Sequence, residues 1–230
     1  MDFVGIEKLS LVDYDGKLTC TLFMAGCNFR CPFCHNADLV LDTYNCTPIP
    51  FQDILEYLES KKGKLEAVCI TGGEPTLMRD LKEKITVIKN MGYLVKLDTN
   101  GTNLKVVKDL VENKLIDYVA MDIKNSEKDY HLAIGLNYQP FSKIKETIDY
   151  LMACGIDYEF RTTLVKDIHD ERNIKEMGEL IKGAKKLFLQ KFVDSGRTIK
   201  KGCEAITVEQ AHRFQEILSK HVDKVELRGY

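Results

Sequence analysis

The chain has 230 residues, of which 44% are hydrophobic and 30% are charged, and its formal net charge is −2. These values are ordinary for a globular protein, and a charge so near neutrality gives no electrostatic signal for nucleic acid or an anionic membrane as a partner. No apolar run approaches the roughly 18 residues that span a bilayer, and the N-terminus lacks the pattern of a signal peptide. We therefore expect a cytoplasmic protein that forms one domain over residues 1–230, without a nucleic-acid or membrane partner.

Short β-rich runs alternate with longer amphipathic runs along the whole chain. The predicted strands are 18–23, 67–71, 93–99, 118–123, 158–165 and 186–192, with a further edge strand at 224–228. Helical spacing of apolar residues predicts helices that include 51–62, 104–114, 141–155 and 208–220. Because strand–helix–strand units form right-handed crossovers, the pattern predicts an α/β fold with a parallel sheet. About six units fit in a core over 18–192, followed by a C-terminal helix and edge strand in 205–230. The pattern alone leaves an open sheet and a partial barrel as alternatives.

Charged residues interrupt strands that should be almost continuously apolar if helices cover both faces of the sheet. Lys96 and Asp98 share one face of the third predicted strand. Asp122 and Lys124 end the fourth, and Arg161 lies inside the fifth. Isolated charges in such a core cost several kcal/mol each. These residues therefore either form mutual salt bridges or edge strands, or they line a polar interior that holds a ligand.

Three cysteines, Cys27, Cys31 and Cys34, lie within eight residues directly after the first predicted strand. A disulfide framework does not suit a chain of this size in a reducing compartment. A structural zinc site needs a fourth ligand, and His35 would supply it only in a strained arrangement beside Cys34. An iron–sulfur cluster also takes thiolates at this density, and three protein ligands would leave one iron open to reaction.

The remaining cysteines and histidines give weaker signals. Cys20 and Cys69 lie in apolar strand-like runs, and we interpret both as buried and unreactive thiols. Cys46 lies in a polar segment and is expected either at the surface or near the three clustered cysteines. Four histidines show no ligand spacing and are interpreted as surface or helix residues: His131, His169, His212 and His221.

The other motifs share one position in the predicted fold. GGEP (72–75) follows the second predicted strand, DTNG (98–101) ends the third, and MDIK (121–124) ends the fourth. The carboxyl ends of parallel strands form the catalytic face of such folds. We therefore expect these motifs and the cysteine segment to converge on one rim.

The segment CNFRCPFC resembles the CxxxCxxC signature of the radical S-adenosylmethionine (SAM) superfamily, and GGEP is similar to its motif for the methionine end of the cofactor. CHN after the cysteines resembles the glycyl-radical-enzyme activating enzymes. The segments similar to the anaerobic ribonucleotide reductase activating branch are GCNFRCPFCHN, TGGEPTL, KLDTNG, YVAMDIK, FRTTLV and LQKF. The resemblance runs from about residue 20 to 192 and implies a partial (β/α)6 barrel with parallel strands.

The resemblance also implies a set of site residues. Cys27, Cys31 and Cys34 would bind a 4Fe–4S cluster, and the amine and carboxylate of S-adenosylmethionine would chelate the fourth iron. The implied cofactor-binding residues are Phe33, Asn36, Gly72, Gly73, Glu74, Asp98, Asn100, Asp122, Lys124 and Arg161. The resemblance further implies a monovalent cation as a candidate cofactor near Asp98, Asp122 and Lys124.

The activity implied by the resemblance is reductive cleavage of S-adenosylmethionine to a 5′-deoxyadenosyl radical. That radical would abstract a hydrogen from a glycine of a partner glycyl radical enzyme, with anaerobic ribonucleotide reductase as the nearest match. The chain carries no additional cysteine quartet between Cys34 and GGEP, so flavodoxin or ferredoxin is expected to reduce the cluster. The alternatives are an enzyme of the pyruvate formate-lyase activating type, a radical enzyme acting on a small molecule, and a non-enzymatic zinc-binding module.

Overall fold

A computed structural model describes residues 2–138 and 140–230, and its eight strands within these ranges form one sheet in chain order. The strands are β1 Phe3–Ser10, β2 Thr19–Met24, β3 Ala67–Gly72, β4 Leu94–Thr99, β5 Tyr118–Asp122, β6 Asp157–Leu164, β7 Lys186–Lys191 and β8 Lys224–Arg228. The α-helices are α1 Ala37–Leu41, α2 Phe51–Ser60, α3 Leu81–Asn90, α4 Leu104–Glu112, α5 Tyr130–Ile134, α6 Phe141–Ala153, α7 Glu171–Leu180 and α8 Val208–Leu218. None of these described helices is long and apolar enough to cross a membrane.

The predicted α/β fold with parallel strands is confirmed. All seven predicted strands are present, with ends that differ from the prediction by at most one residue. The pairs β2–β3, β3–β4, β6–β7 and β7–β8 are parallel. The four helices named above begin where the sequence predicts and end two residues earlier. The assignment of the chain to one domain stays a prediction.

Strand β1 was not predicted, and it pairs antiparallel with β2. Only its two end residues, Phe3 and Ser10, are buried, while Leu9 is 56% exposed. The pairing also shifts register twice along the strand. An edge strand with this irregular burial lacks the period-two alternation from which strands are recognised.

By contact density the chain divides into two compact units, of which the first is Met1–Asn28, Asp38–Thr99 and Asn103–Ala120. Its strands β2, β3 and β4 bury Leu22, Ile70 and Leu97 as in-register neighbours on one face. Because side chains alternate between faces, the neighbouring row of Thr21, Cys69 and Lys96 lies on the opposite face. The first unit therefore has one apolar face and one face that carries charge.

The second unit comprises Phe29–Ala37, Asn100–Thr102 and Met121–Tyr230. Its strands β6, β7 and β8 place Arg161, Phe188 and Glu226 in one in-register row. The Arg228 guanidinium carbon lies 3.3 Å from the centroid of the Phe188 ring, and one of its nitrogens lies 3.5 Å from the Glu159 carboxylate. The last strand thus supplies the cation that compensates a buried carboxylate of β6.

Candidate functional site

In the first unit, the turn after β3 lies against the backbone that follows β2. A Cβ atom on Gly72, whose φ is +111°, would lie 2.5 Å from the backbone nitrogen and oxygen of Met24, and a Cβ on Gly73 would lie 1.9 Å from the carbonyl oxygen of Gly26. The N–H of Gly73 donates to the Met24 carbonyl and the N–H of Glu74 to the Gly26 carbonyl, both at 2.8 Å. Glycine is required here because any side chain would occupy the space of the neighbouring backbone.

The carboxylate of Glu74 holds this turn from inside the unit. Glu74 is fully buried, and its Oε1 accepts hydrogen bonds from the Thr76 N–H at 3.1 Å and the Thr76 hydroxyl at 2.6 Å. The hydroxyl of Thr99, at the end of β4, donates to the same oxygen at 2.8 Å. Donors from two strand-end loops therefore satisfy this buried carboxylate oxygen, and Glu74 joins the two loops.

The charged pair on β4 is also buried in the first unit. Lys96 is 3% exposed, and its Nζ lies 3.3 Å from Oδ1 of Asp98. The same ammonium donates to the backbone carbonyl of Asp13 at 2.5 Å and lies 5.8 Å from the centroid of the Tyr118 ring. Of the two alternatives for the strand charges, the mutual salt bridge is present here.

In the second unit, the segment with two of the three clustered cysteines is largely buried. Cys31 is 8% exposed, Phe33 is 4% exposed and Cys34 is half-buried. The N–H of Cys34 donates to the Cys31 carbonyl at 3.0 Å, and the Pro32 carbonyl accepts from the N–H of Lys200 at 2.9 Å. The segment is therefore a tight turn that the loop after β7 holds in place.

A cluster of three charged side chains lies at the end of β5 in the same unit. The Asp122 carboxylate is 2.9 Å from Nζ of Lys124 and 3.1 Å from Nε of Arg161. Burial alone would raise the pKa of Asp122, but the two cations hold that pKa below its usual range. Burial likewise opposes the Lys124 charge, yet Asp122 and then Cys31 raise the lysine pKa above its ordinary value. Two cations and one anion therefore leave a net positive charge beside the Cys31 thiol.

The cysteines differ in their surroundings. Burial raises the pKa of Cys34, while the Asn36 N–H and the Lys124 and Arg30 charges oppose this rise. Burial raises the pKa of Cys20 to about 12, with Glu7 adding to the effect. The predicted burial of Cys20 is thus confirmed, as it is for the fully buried Cys69. Neighbouring positive charge favours the thiolate that binds metal.

The remaining predicted site residues lie in loops. Cys27 is half-buried in the first unit, and Asn36 is half-buried in the second. Asn100 is buried, and its Oδ1 accepts from the N–H and the hydroxyl of Thr102 at 3.0 and 2.7 Å, which is an Asx turn. Among the described residues, no three His, Cys, Asp or Glu side chains are arranged as a metal site.

His169 was wrongly interpreted as a surface or helix residue: it is 6% exposed and lies in the loop between β6 and α7. Its Nδ1 accepts from the Val165 N–H at 3.1 Å, which leaves Nε2–H to donate to the Lys124 carbonyl at 2.9 Å. The Lys124 N–H donates to the hydroxyl of Tyr130 at 3.3 Å. Two buried side chains thereby fix the backbone of Lys124, and ligand spacing gives no signal for either.

Gly73→Ala should destabilise the folded chain by about 3 kcal/mol, because the new Cβ must displace the Gly26 backbone. Gly16→Ala is the matched control, since Gly16 has a φ of +73° but no atom within 4 Å of its added Cβ. The control should lose only about 1 kcal/mol, from left-handed strain. Urea unfolding measures both losses, and equal losses would contradict the close approach at Gly73.

Lowering the pH from about 7 to 5 should reduce the free energy of unfolding more in the wild type than in His169→Gln. Burial lowers the pKa of His169 below its ordinary value of about 6.5. As the pH is lowered, the imidazole is therefore protonated in the unfolded chain before it is protonated in the folded chain, and the free energy of unfolding decreases. Glutamine keeps a nitrogen donor for the Lys124 carbonyl and does not titrate. Urea unfolding at several pH values gives the difference between the two proteins, and a difference that does not change with pH would contradict the account.

Comparison with known proteins identifies the family. The model of the radical SAM superfamily matches residues 21–182. A Methanocaldococcus jannaschii protein, whose name assigns it to the glycyl-radical enzyme activating enzymes, is 35% identical over 82% of this chain and 78% of its own length. The pyruvate formate-lyase-activating enzyme of Clostridium pasteurianum is 26% identical over 77% of this chain and 75% of its own.

Solved structures agree with this assignment at the level of the fold. A domain of the pyruvate formate-lyase-activating enzyme from Bacteroides vulgatus superimposes with a TM-score of 0.58 at 19% identity, over 71% of this chain and 99% of that one. SuiB of Streptococcus suis, bound to its precursor peptide SuiA, gives a TM-score of 0.70 at 17% identity, over 91% of this chain and 48% of that one. The predicted radical SAM type of α/β fold is therefore confirmed. The chain belongs to the radical SAM superfamily, in its family of glycyl-radical-enzyme activating enzymes.

Proposed function

We propose that this chain installs a glycyl radical on the anaerobic ribonucleotide reductase, with a 4Fe–4S cluster and S-adenosylmethionine as its cofactors. The observation that carries the proposal is the charge beside the clustered cysteines. Lys124 is half-buried, it is ion-paired with Asp122, and its charge lies near the Cys31 thiol. Anionic thiolates and a carboxylate are favoured beside such a charge. The residues between and around these cysteines match the activating branch described above.

The donor set of this chain fits an iron–sulfur cluster. Cys27, Cys31 and Cys34 carry thiols that are not in disulfides, and they would hold the cluster. The Cys31–Cys34 turn is closed by a backbone hydrogen bond and anchored through Pro32, so two of the three ligands start from a fixed backbone. Three thiolates leave one iron of a 4Fe–4S cluster without a protein ligand.

Residues of each unit also fit the zwitterionic end of S-adenosylmethionine. Lys124 and Arg161 would attract its carboxylate, and Asp122 keeps both cations oriented. The Gly72–Gly73 turn would offer backbone carbonyls to its ammonium group without a side chain in the way. The other proposed contacts to the cofactor are Phe33, Asn36, Glu74, Asp98 and Asn100.

When bound, these cofactors supply the one-electron cleavage of a carbon–sulfur bond that produces a hydrogen-abstracting radical. The chain's own part is to orient the cofactor through its ion pairs and turns, and to receive the glycine-bearing segment of the partner. An external one-electron donor of the flavodoxin or ferredoxin type would reduce the cluster. The cytoplasmic location stays a prediction.

Anaerobically reconstituted protein, mixed with reductant, S-adenosylmethionine and anaerobic ribonucleotide reductase, should give a glycyl-radical doublet in EPR. A parallel mixture with pyruvate formate-lyase tests the activating type found among the curated relatives. A doublet only in that second mixture would reassign the partner. Cofactor cleavage with no radical on either enzyme would contradict activation of these partners.

Cysteine variants test the proposed ligand set in the same assay. Cys31→Ala should lose the cluster absorbance and the EPR doublet, because the cluster would lose one of three anchors. Cys46→Ala is the matched control, since Cys46 is half-buried and its thiol lies 3.5 Å from the Asp42 carbonyl. The control should retain iron content and doublet at the wild-type level. Loss of both in the control would overturn the assignment of the three clustered cysteines.

A further inference from the structure

We propose that Lys96 is a built-in counter-ion of Asp98, which takes the place of the monovalent cation that the family resemblance suggests beside that aspartate. The inference rests on the proposed function, since it concerns the same cofactor site. Its consequence is that this chain folds and binds S-adenosylmethionine without a requirement for potassium or sodium. The residues present do not fit an added cation, as the surroundings of each aspartate indicate.

Asp98 has its counter-charge on its own strand. Lys96 precedes it by two residues, so both side chains lie on one face of β4, and the ammonium is 3.3 Å from the carboxylate. A metal ion coordinated by Asp98 would come within a few ångströms of that ammonium. Two positive charges in a site closed to water repel each other strongly, so the lysine excludes the ion.

Burial and a hydrogen bond hold the Lys96 ammonium in its position beside Asp98. The side chain is 3% exposed, and the Asp13 carbonyl accepts a hydrogen bond from Nζ at 2.5 Å. Asp13 is itself fixed, because its carboxylate accepts from the Thr21 hydroxyl at 2.6 Å. An ammonium so thoroughly buried needs a carboxylate partner to stay charged, and Asp98 is that partner.

Asp122, in the second unit, is compensated independently. Lys124 and Arg161 lie 2.9 and 3.1 Å from its two oxygens, so each oxygen already faces a cation. A hard cation binds where carboxylate oxygens carry uncompensated charge. Within its own unit, each of the two carboxylates already has a cationic side chain beside it.

The test compares the thermal unfolding and the cofactor binding of the anaerobically reconstituted protein in potassium chloride, sodium chloride and choline chloride at equal ionic strength. The wild type should unfold at the same temperature in all three salts, and equilibrium dialysis should give the same affinity for S-adenosylmethionine. Lys96→Met leaves Asp98 without its ammonium partner, so potassium or sodium should raise its unfolding temperature by about 3 °C over choline. Thallium-205 NMR with Tl⁺ as the potassium probe should show exchange broadening with Lys96→Met and none with the wild type.

Lys84→Met is the matched control. Lys84 is also buried and ion-paired, but its partners Asp2 and Asp80 are about half exposed, so water and salt compensate them without ion selectivity. Its unfolding temperature should drop equally in all three salts. If Lys96→Met does not fold, Lys96→Met combined with Asp98→Asn removes the pair and should fold without ion selectivity.

A wild type that is stabilised, or binds the cofactor better, in potassium or sodium than in choline would overturn the proposal. Equal behaviour of Lys96→Met in all three salts would do the same. These readouts use no reductase and no radical transfer, so a failure to form a glycyl radical leaves them interpretable. A failed counter-ion proposal likewise leaves the EPR assay unaffected.

Discussion

The candidate site depends on ion pairs between carboxylates at the strand ends and lysine or arginine side chains of the same unit. Taking a lone carboxylate out of water costs several kcal/mol, and a paired carboxylate stays ionised. Asp122 is held between Lys124 and Arg161, and Asp98 is held by Lys96. Because the partners already exist within the fold, these charges are oriented before any ligand arrives. Such preorganisation lowers the cost of binding a charged cofactor.

Buried polar side chains hold the strand-end loops near these charges in place by hydrogen bonds. The Glu74 carboxylate joins the loops after β3 and β4 through Thr76 and Thr99. His169 and Tyr130 fix the peptide groups of Lys124 from two sides. The residues that would contact the cofactor are thus held in place by other residues that would not contact it. Family motifs identify the contacting residues but not the residues that position them.

The sequence predicts the strands well because each is a short apolar run bounded by helix stops and turns. It also indicates the charged face of β4, since Lys96 and Asp98 are two residues apart. Strand β1 is not predicted because its buried residues follow no regular period. It forms a strand because it pairs with β2. The burial of His169 is not predicted because its hydrogen-bond partner is the backbone carbonyl of Lys124, 45 residues earlier. Every residue has such a carbonyl, so the sequence does not indicate which one a histidine will contact. The stacking of Arg228 on Phe188 likewise arises only when β7 and β8 pair.

In the proposed site, three cysteines would leave one iron of the cluster open to an amino-acid ligand. Electron–nuclear double resonance of the reduced, reconstituted protein tests it directly, with S-adenosylmethionine that carries ¹⁵N in its amine and ¹⁷O in its carboxylate. We expect hyperfine coupling of the cluster spin to both labels. A four-iron cluster that shows coupling to neither label, or a protein that assembles no such cluster, would contradict it.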